Sequence, residues 1–457
     1  MSRDREAVVW TRLMGHPQRM GRLYLTDADC RFTYDPDYLQ SGLPGLGLVY
    51  APQIYRENTI IRKRTAFFDF LPPIQSLIPP QGERNFQRRL ILAYLARAGI
   101  VPARGLDEDW EILKVAGHGA IGHLDIFESD EIARAWYAAP ADSRLFEITP
   151  DLGFSLKAFL AWFDQEADIW LHVIGPTPSI GGAIPKLLVS IPASGWDGRI
   201  GLPSRPGARG LTDVVLKFEQ TGTYPGIIEL EALALAVHRE AGFEVPRFWV
   251  TEINGIPALA IERFDRDAVH LPVFTESLYA VLASGDASVT NNHSYSYDRI
   301  GRAFDRSPIT LVSDPVEAKR HLLQRFVLAL LTGNGDLHLE NLSIIDGGAG
   351  PCFSPVYDPT PMRAYSIHNM LAVMPFGAYG EPAGTRAEPV GLVEALVNFT
   401  HNLGIGRSVL REVVSATLEA TRDYSQRVAA LGSLPDANKR NLIAITQKLA
   451  STLETVV

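Results

Sequence analysis

The chain has 457 residues, 46% of them hydrophobic and 21% charged, with a formal net charge of −9. That is the composition of an ordinary globular protein with enough chain for two or three units. The acidic balance argues against a dedicated non-specific nucleic-acid binder, whose hold on phosphate backbones is mainly electrostatic. Two cysteines, Cys30 and Cys352, stand far apart in no metal-ligand spacing, which points to reduced thiols and a cytoplasmic location. No apolar run is long enough to span a bilayer, since Arg97 and Arg325 interrupt or flank the best candidates. The opening MSRDREAVVW lacks the apolar stretch of a signal peptide.

Residues 1–140 form one expected mixed α/β unit. Gly21–Leu25 and Cys30–Tyr34 alternate as strands around a turn at Thr26–Asp29. Phe67–Pro73, FFDFLPP, is an aromatic stretch ended by two prolines, and Leu90, Ile91, Tyr94 and Leu95 give Phe86–Ala98 a helical period. Gly117–Ile126, GHGAIGHLDI, is glycine-rich and is expected to be a tight turn before a strand rather than a phosphate loop. A connecting helix follows, with Leu156, Phe159, Leu160 and Phe163 on one face and Ser155 as its cap. His172, with no partner cluster around it, is expected to be structural.

Residues 141–265 have the order of a nucleotide-binding lobe. In Ser179–Lys186, SIGGAIPK, the adjacent Gly181 and Gly182 let backbone N–H groups close on phosphate oxygens without a Cβ in the way. The spacing is not that of a Walker A loop, and a Gly-Gly pair by itself is usually just a turn. Val214–Phe218, VVLKF, puts Lys217 inside an apolar strand, where it either snorkels at an edge or grips the α- and β-phosphates of a nucleotide. A helix from Ile228 to Glu240 offers Glu229 and Glu231, the second better placed to align such a lysine. Strands Phe248–Ile253 and Ala258–Ile261 flank Asn254-Gly255, a hairpin turn. They run into Glu262-Arg263-Phe264-Asp265, where a kinase would place its hinge.

Residues 266–457 carry the chemistry. Ala283–Arg299, rich in Ser, Asn and Tyr, is expected to be a loop. Asp314-Pro315-Val316-Glu317 is a helix start with Asp as cap and Pro at the first position. Leu322, Leu323, Phe326, Val327, Leu330 and Leu331 then recur at helical spacing until Gly333 ends the run. Gly333–Ile345 reads GNGDLHLENLSII, so Asp336 and Asn341 have the D-x-x-x-x-N spacing of phosphotransferase catalytic loops. There the Asp orients an acceptor hydroxyl and the Asn holds a metal ion, because phosphoryl transfer is catalysed mostly by placement and charge neutralisation. Leu342–Ile345 is a short strand, and Gly347, Gly348 and Gly350 make a turn. Cys352–Tyr357 returns to bring Asp358, in VYDP, beside Asn341. Two helices close the chain, with Leu410, Val413, Val414 and Leu418 on one face and Leu442, Ile443, Ile445 and Leu449 on another.

Together these pieces resemble the HipA-type serine/threonine kinases of bacterial toxin–antitoxin systems. The resemblance runs over nearly the whole chain, through GRL…FTYD, FFDFLPP, GHGAIGHLDI, SIGGAIPK, VLKFEQ, LAIERFDRD, GNGDLHLENLSI and VYDP. It implies an α+β, protein-kinase-like fold: a mixed N-terminal domain (1–140), a nucleotide lobe with a Gly-rich loop (141–265) and a mainly helical C-terminal lobe (266–457). Carried over by motif, Asp336 is the catalytic aspartate, Asn341 and Asp358 hold Mg2+, and Lys217 is the lysine for ATP, aligned by Glu231. Glu262 and Phe264 would meet the adenine through backbone atoms, and Gly181, Gly182 and Lys186 belong to the phosphate loop. Ser179 matches the serine that such kinases autophosphorylate, an event that adds about −1.5 to −2 charges beside a phosphate cradle and so opposes ATP binding. The family phosphorylates aminoacyl-tRNA synthetases, arresting growth and promoting persistence, and is neutralised by a helix-turn-helix antitoxin of HipB type, its only link to DNA. Glu340 departs from the family, which commonly has lysine there. Two other readings are open: a small-alcohol kinase of the aminoglycoside or choline kind, and a catalytically silent kinase fold acting as a binding module.

Overall fold

A computed structural model of the chain describes residues 4–82, 85–147, 184–219, 222–253, 255–382 and 388–457. Ser179, Gly181 and Gly182, the helix expected over 156–163, and His172 lie outside the described residues. The chain divides into two compact units, each drawn from more than one segment. The first takes 1–220, 247–276 and 280–290; the second takes 221–246, 277–279 and 291–457.

The first unit contains two antiparallel sheets. Strands β1 (Arg5–Thr11), β2 (Gln18–Leu25), β3 (Asp29–Tyr34), β4 (Ile60–Lys63) and β5 (Asp125–Phe127) lie in the order β4-β3-β2-β1-β5. The turn expected between β2 and β3 is closed by Thr26, whose N–H donates to Asp29 O (2.9 Å) and whose Oγ1 accepts from Asp29 N (3.0 Å). Alternation puts Val9, Leu23, Leu25 and Phe32 into one core. Helices α1 (Phe86–Arg97) and α2 (Leu106–Ala116) add Ile91, Leu95, Trp110 and Leu113 to it. Each such side chain contributes about 1.5–3 kcal/mol by leaving water. The prolines of FFDFLPP do not simply end a stretch: Pro72 and Pro73 open a one-turn helix, as their fixed φ permits.

A short pair joins β6 (Phe146–Glu147) to β8 (Arg199–Ile200), which lies between two strands of the second sheet. In that sheet β7 (Lys186–Pro192), β9 (Leu211–Phe218), β10 (Phe248–Ile253) and β11 (Ile256–Glu262) lie in the order β10-β11-β9-β7. Leu187, Val189, Ile191, Val214, Leu216, Phe218, Ala258 and Ala260 share one face and form its core. Ile253 sits opposite Ile256 at the end of the expected hairpin, with Gly255 at φ +80°.

The glycine-rich GHGAIGHLDI is a turn, and its carbonyls hold the segment that follows β11. Arg263 donates from Nη2 to Ala120 O (2.6 Å) and to Asp265 Oδ2 (2.7 Å). Arg266 donates to Asp265 Oδ2 (2.8 Å), Gly122 O (3.0 Å) and Ala120 O (2.7 Å), and Gly122 N donates to Asp265 Oδ2 (2.8 Å). Burial alone would raise the Asp265 pKa, but the two guanidiniums overcome it and hold the carboxyl at about 2. Asp125 completes the knot, accepting from Gly119 N (2.7 Å) and from the hydroxyl of Tyr137 (2.5 Å), which lies on α3 (Asp130–Ala138).

The second unit is mainly helical: α4 (Ile227–Glu240), α5 (Tyr297–Arg306), α6 (Pro315–Thr332), α7 (Leu392–Asn402), α8 (Arg407–Ala420), α9 (Tyr424–Ala430) and α10 (Asp436–Glu454), with one hairpin, β13 (Ser343–Asp346) and β14 (Cys352–Phe353). β12 (Phe274–Ser277) lies earlier in the chain. Phe326 of α6 stands at the centre of an aromatic cluster, its ring 4.7 Å from Tyr297, 4.6 Å from Phe376 and 5.4 Å from Phe399. The loop expected over 283–299 is shorter than the composition suggested: a helix runs to Gly285, and α5 begins at Tyr297 with Ser296 as its cap. Among the described residues no helix is long and apolar enough to cross a membrane. Cys30 is buried and Cys352 exposed, both as free thiols.

Replacing Asp265 with alanine leaves two buried guanidiniums without their shared carboxylate. A loss of about 3–5 kcal/mol is expected in urea unfolding. A loss below about 1 kcal/mol would show that the knot does not hold the unit together.

Candidate active site

The site begins where α6 ends. Asp314 Oδ1 accepts from Val316 N and Glu317 N, both at 3.0 Å, with Pro315 in the first turn, so the expected cap starts the helix. At the other end Gly333 takes φ +75°, and a Cβ there would stand 2.5 Å from Leu442 Cδ1. Gly335 is constrained too, since its Cβ would meet Met370 O at 2.6 Å. Tyr424 donates to Thr332 O (2.9 Å), pinning the last turn of α6.

From Asn334 onward the loop is held by its own polar groups. Asn334, buried, accepts from Asp336 N through Oδ1 (2.9 Å). The Asp336 carbonyl accepts from His338 N (2.9 Å) and from the side-chain amide of Asn341 (2.8 Å). The Asp336 carboxylate is left 44% exposed, and His338 Nε2 lies 3.9 Å from its Oδ2. Tyr297 donates to Leu337 O (2.5 Å), while Leu339 N donates to Asn292 O (3.1 Å).

The return strand is only Cys352–Phe353, shorter than expected, yet Asp358 is still tied to the loop. The Tyr357 hydroxyl donates to Glu340 O (2.5 Å) and pairs with Ser343 Oγ (2.5 Å), so the residue before Asp358 is fastened one position before Asn341. Asp358 itself has φ +49°, a left-handed backbone uncommon outside glycine and often seen at functional sites. Behind it lies Arg325, fully buried in α6, whose Nη2 donates to Tyr357 O (3.3 Å). Burial pulls the Arg325 pKa down to about 9, against the attraction of Tyr357 and Asp358. Asn341 and Asp358 offer hard oxygen atoms, and the Asn341 amide already has its nitrogen on Asp336 O, which turns its Oδ1 toward other work. Such a donor set fits Mg2+.

The expected nucleotide residues lie in both units. Lys186 and Lys217 are direct cross-strand partners on β7 and β9, so their side chains leave the sheet together, on the face opposite its core. Both are buried. Leu188, Val215, Leu259 and Ile261 share that face by the same register. Glu262 ends β11; its N–H donates to Arg247 O (2.9 Å) and its carboxylate takes a bidentate pair from Arg247 (2.8 and 2.7 Å). Only its carbonyl would therefore serve a purine. Phe264 follows in the turn, half-buried, and Glu231 is fully buried inside α4. Glu340, the departure from the family pattern, accepts from Asn292 Nδ2 (2.8 Å).

Sequence reasoning missed three residues. Arg325 was legible only as a charge interrupting an apolar helix, and a charge on a core face is itself a signal. Tyr357 gave no signal beyond its place in VYDP. His293 lay in the weakly patterned loop.

A sequence profile described as the HipA-like C-terminal domain matches residues 178–424, more than half of the chain. Two curated relatives bear the name "Putative kinase": one from Haemophilus influenzae, 26% identical over 44% of this chain and 65% of its own length, and Y4dM from Sinorhizobium fredii, 25% identical over 87% and 84%. The serine/threonine-protein kinase toxin HipA of Shewanella oneidensis is 24% identical over 47% of this chain and half of its own length. A solved complex of Shewanella oneidensis HipA with HipB and operator DNA contains a chain that superposes with a TM-score of 0.57 at 17% identity, covering 96% of this chain and 95% of that one. At that identity the likeness shows the fold, which is the expected mixed α/β, HipA-like one.

Tyr357→Phe removes the hydroxyl that Glu340 O and Ser343 Oγ share. A loss of about 1–3 kcal/mol is expected, with faster amide exchange over 338–343 and unchanged protection in the middle of α6. Unchanged exchange in the loop would mean that the tyrosine does not position it.

Proposed function

The chain belongs to the HipA-like C-terminal domain family, and on that premise we propose that it is a serine/threonine protein kinase transferring the γ-phosphate of ATP to a protein serine. The observation that carries this reading is the closed loop: Asn341 bonded across to the Asp336 carbonyl, with Tyr357, the residue before Asp358, bonded to Glu340 O. The exposed Asp336 carboxylate accepts the hydrogen bond of the acceptor hydroxyl and lines its oxygen up with phosphorus. Asn341 Oδ1 and the Asp358 carboxylate are the ligands for Mg2+, which when bound neutralises charge on the phosphates. Arg325 sets the orientation of the segment bearing Asp358 through Tyr357 O.

Lys217, with Lys186 beside it on the sheet, holds the tail phosphates. Their side chains leave the sheet on the same face, and two cationic groups there suit the polyphosphate of a nucleotide. The apolar positions sharing their face suit a purine ring, which the Glu262 carbonyl and the Phe264 backbone would address. Ser179 is the inhibitory autophosphorylation site of the phosphate loop containing Gly181 and Gly182. In the cell the acceptor is an aminoacyl-tRNA synthetase, the outcome is growth arrest, and a helix-turn-helix antitoxin of HipB type is the partner that brings DNA close. The cytoplasm is where these partners meet.

Purified protein incubated with ATP and Mg2+ should transfer phosphate to itself at Ser179, read by mass spectrometry. Asp336→Asn should lower that rate about 10²–10⁴-fold, the usual worth of a positioned acid or base. An unmodified chain that phosphorylates a small alcohol instead would overturn the protein-kinase reading. Equal rates in wild type and Asp336→Asn would overturn the catalytic assignment.

A further inference from the structure

The loop over 286–296 brings to the catalytic segment a side chain that phosphoryl transfer does not need. His293, Asp336 and His338 each present one ligating atom, and these atoms all lie within 4.8 Å of one another. The two imidazole rings are 5.3 Å apart and tilted by 54°. His338 Nε2 and Asp336 Oδ2 are already at 3.9 Å.

The approach of the two segments is built in on both sides of His293 and His338. Asn292 accepts from Leu339 N through its carbonyl (3.1 Å) and donates from its side chain to Glu340 (2.8 Å). Within the loop, Asn291 Oδ1 accepts from His293 N (2.9 Å), and Ser294 Oγ donates to Asn291 O (2.7 Å). His293 is thus carried on a turn with its own hydrogen bonds, docked against the catalytic loop by a neighbour. Glu340 has a use here: it anchors the residue that precedes His293.

We propose that His293, Asp336 and His338 form a binding site for a late first-row divalent cation, zinc above all, and that filling it stops the phosphotransfer. Two imidazole nitrogens and one carboxylate are a borderline donor set, which favours Zn2+ over the hard Mg2+ that suits Asn341 and Asp358. Metal–donor bonds of about 2.0–2.2 Å place tetrahedral ligands some 3.3 Å apart. The donors therefore need to close by about an ångström, which side-chain rotation of the exposed His293 can supply. Three protein ligands leave one position for water. A carboxylate oxygen committed to the cation no longer accepts the hydrogen bond of an acceptor hydroxyl, so Asp336 serves one role or the other. The inhibitory half rests on the kinase reading above; binding does not.

The test uses the full chain stripped of metal. Titration with Co2+ should produce the visible absorption of a nitrogen-ligated site at one ion per chain, and Zn2+ should displace it. His293→Ala should weaken Co2+ and Zn2+ at least about tenfold, since losing even a ligand's supporting partner costs that much. In phosphotransfer assays, zinc that stops the wild type should leave His293→Ala running near its own zinc-free rate. No cobalt spectrum, or equal affinity in wild type and His293→Ala, overturns the site. Binding without loss of phosphotransfer overturns the inhibition. A chain with no phosphotransfer under any condition removes the kinase reading, while the cobalt titration still decides the site.

Discussion

The hydrogen bond from the Asn341 side chain to the Asp336 carbonyl determines the shape of everything near the candidate site. It joins two residues five apart and so folds the loop back on itself, leaving the Asp336 carboxylate outward while the main chain turns inward. Its donor is the nitrogen of an amide whose oxygen is then free to face a cation. The single bond therefore fixes both residues to which the proposed function gives roles, the acceptor carboxylate and the metal-binding amide. Neighbouring bonds, from Tyr297 to Leu337 O and from Tyr357 to Glu340 O, keep the loop from relaxing out of that shape.

Charge is handled in two different ways. In the first unit two buried carboxylates are tied into the scaffold: Asp265 takes two guanidiniums and a backbone N–H, and Asp213 takes His270 Nδ1 (2.9 Å) and Ser204 N (2.6 Å). Such groups hold architecture, because an unmatched charge in the interior would be destabilising by several kcal/mol. The Asp336 side chain, by contrast, is 44% exposed, with His338 Nε2 at 3.9 Å. The same residue type is thus locked into architecture in one place and left open to solvent in the other.

The stretch ERFDRD illustrates how a motif can carry two meanings. Its flanking residues, Glu262 and Phe264, are the ones proposed to face a nucleotide, yet its arginines and Asp265 spend themselves on the turn carbonyls of GHGAIGHLDI. Those two motifs lie more than a hundred residues apart and make sense only together. Glycine at 119 and 122 gives the turn its positive φ, and the arginines satisfy the carbonyls that the turn leaves pointing inward.

Much of the architecture was legible in local pattern, because local pattern has local causes. Alternation named β2 and β3, apolar spacing named α1 and α6, and Asp314 and Gly333 marked the ends of α6 through capping and left-handed backbone. The Asp336–Asn341 spacing was equally plain. What the sequence alone determined is thus the set of elements and the residue types available for chemistry. Only the tertiary structure decided that Lys186 faces Lys217, that Arg325 sits behind Asp358 and that His293 meets His338. Register, side-chain burial and the docking of one loop on another arise from contacts between distant segments, and no window along the chain contains both partners.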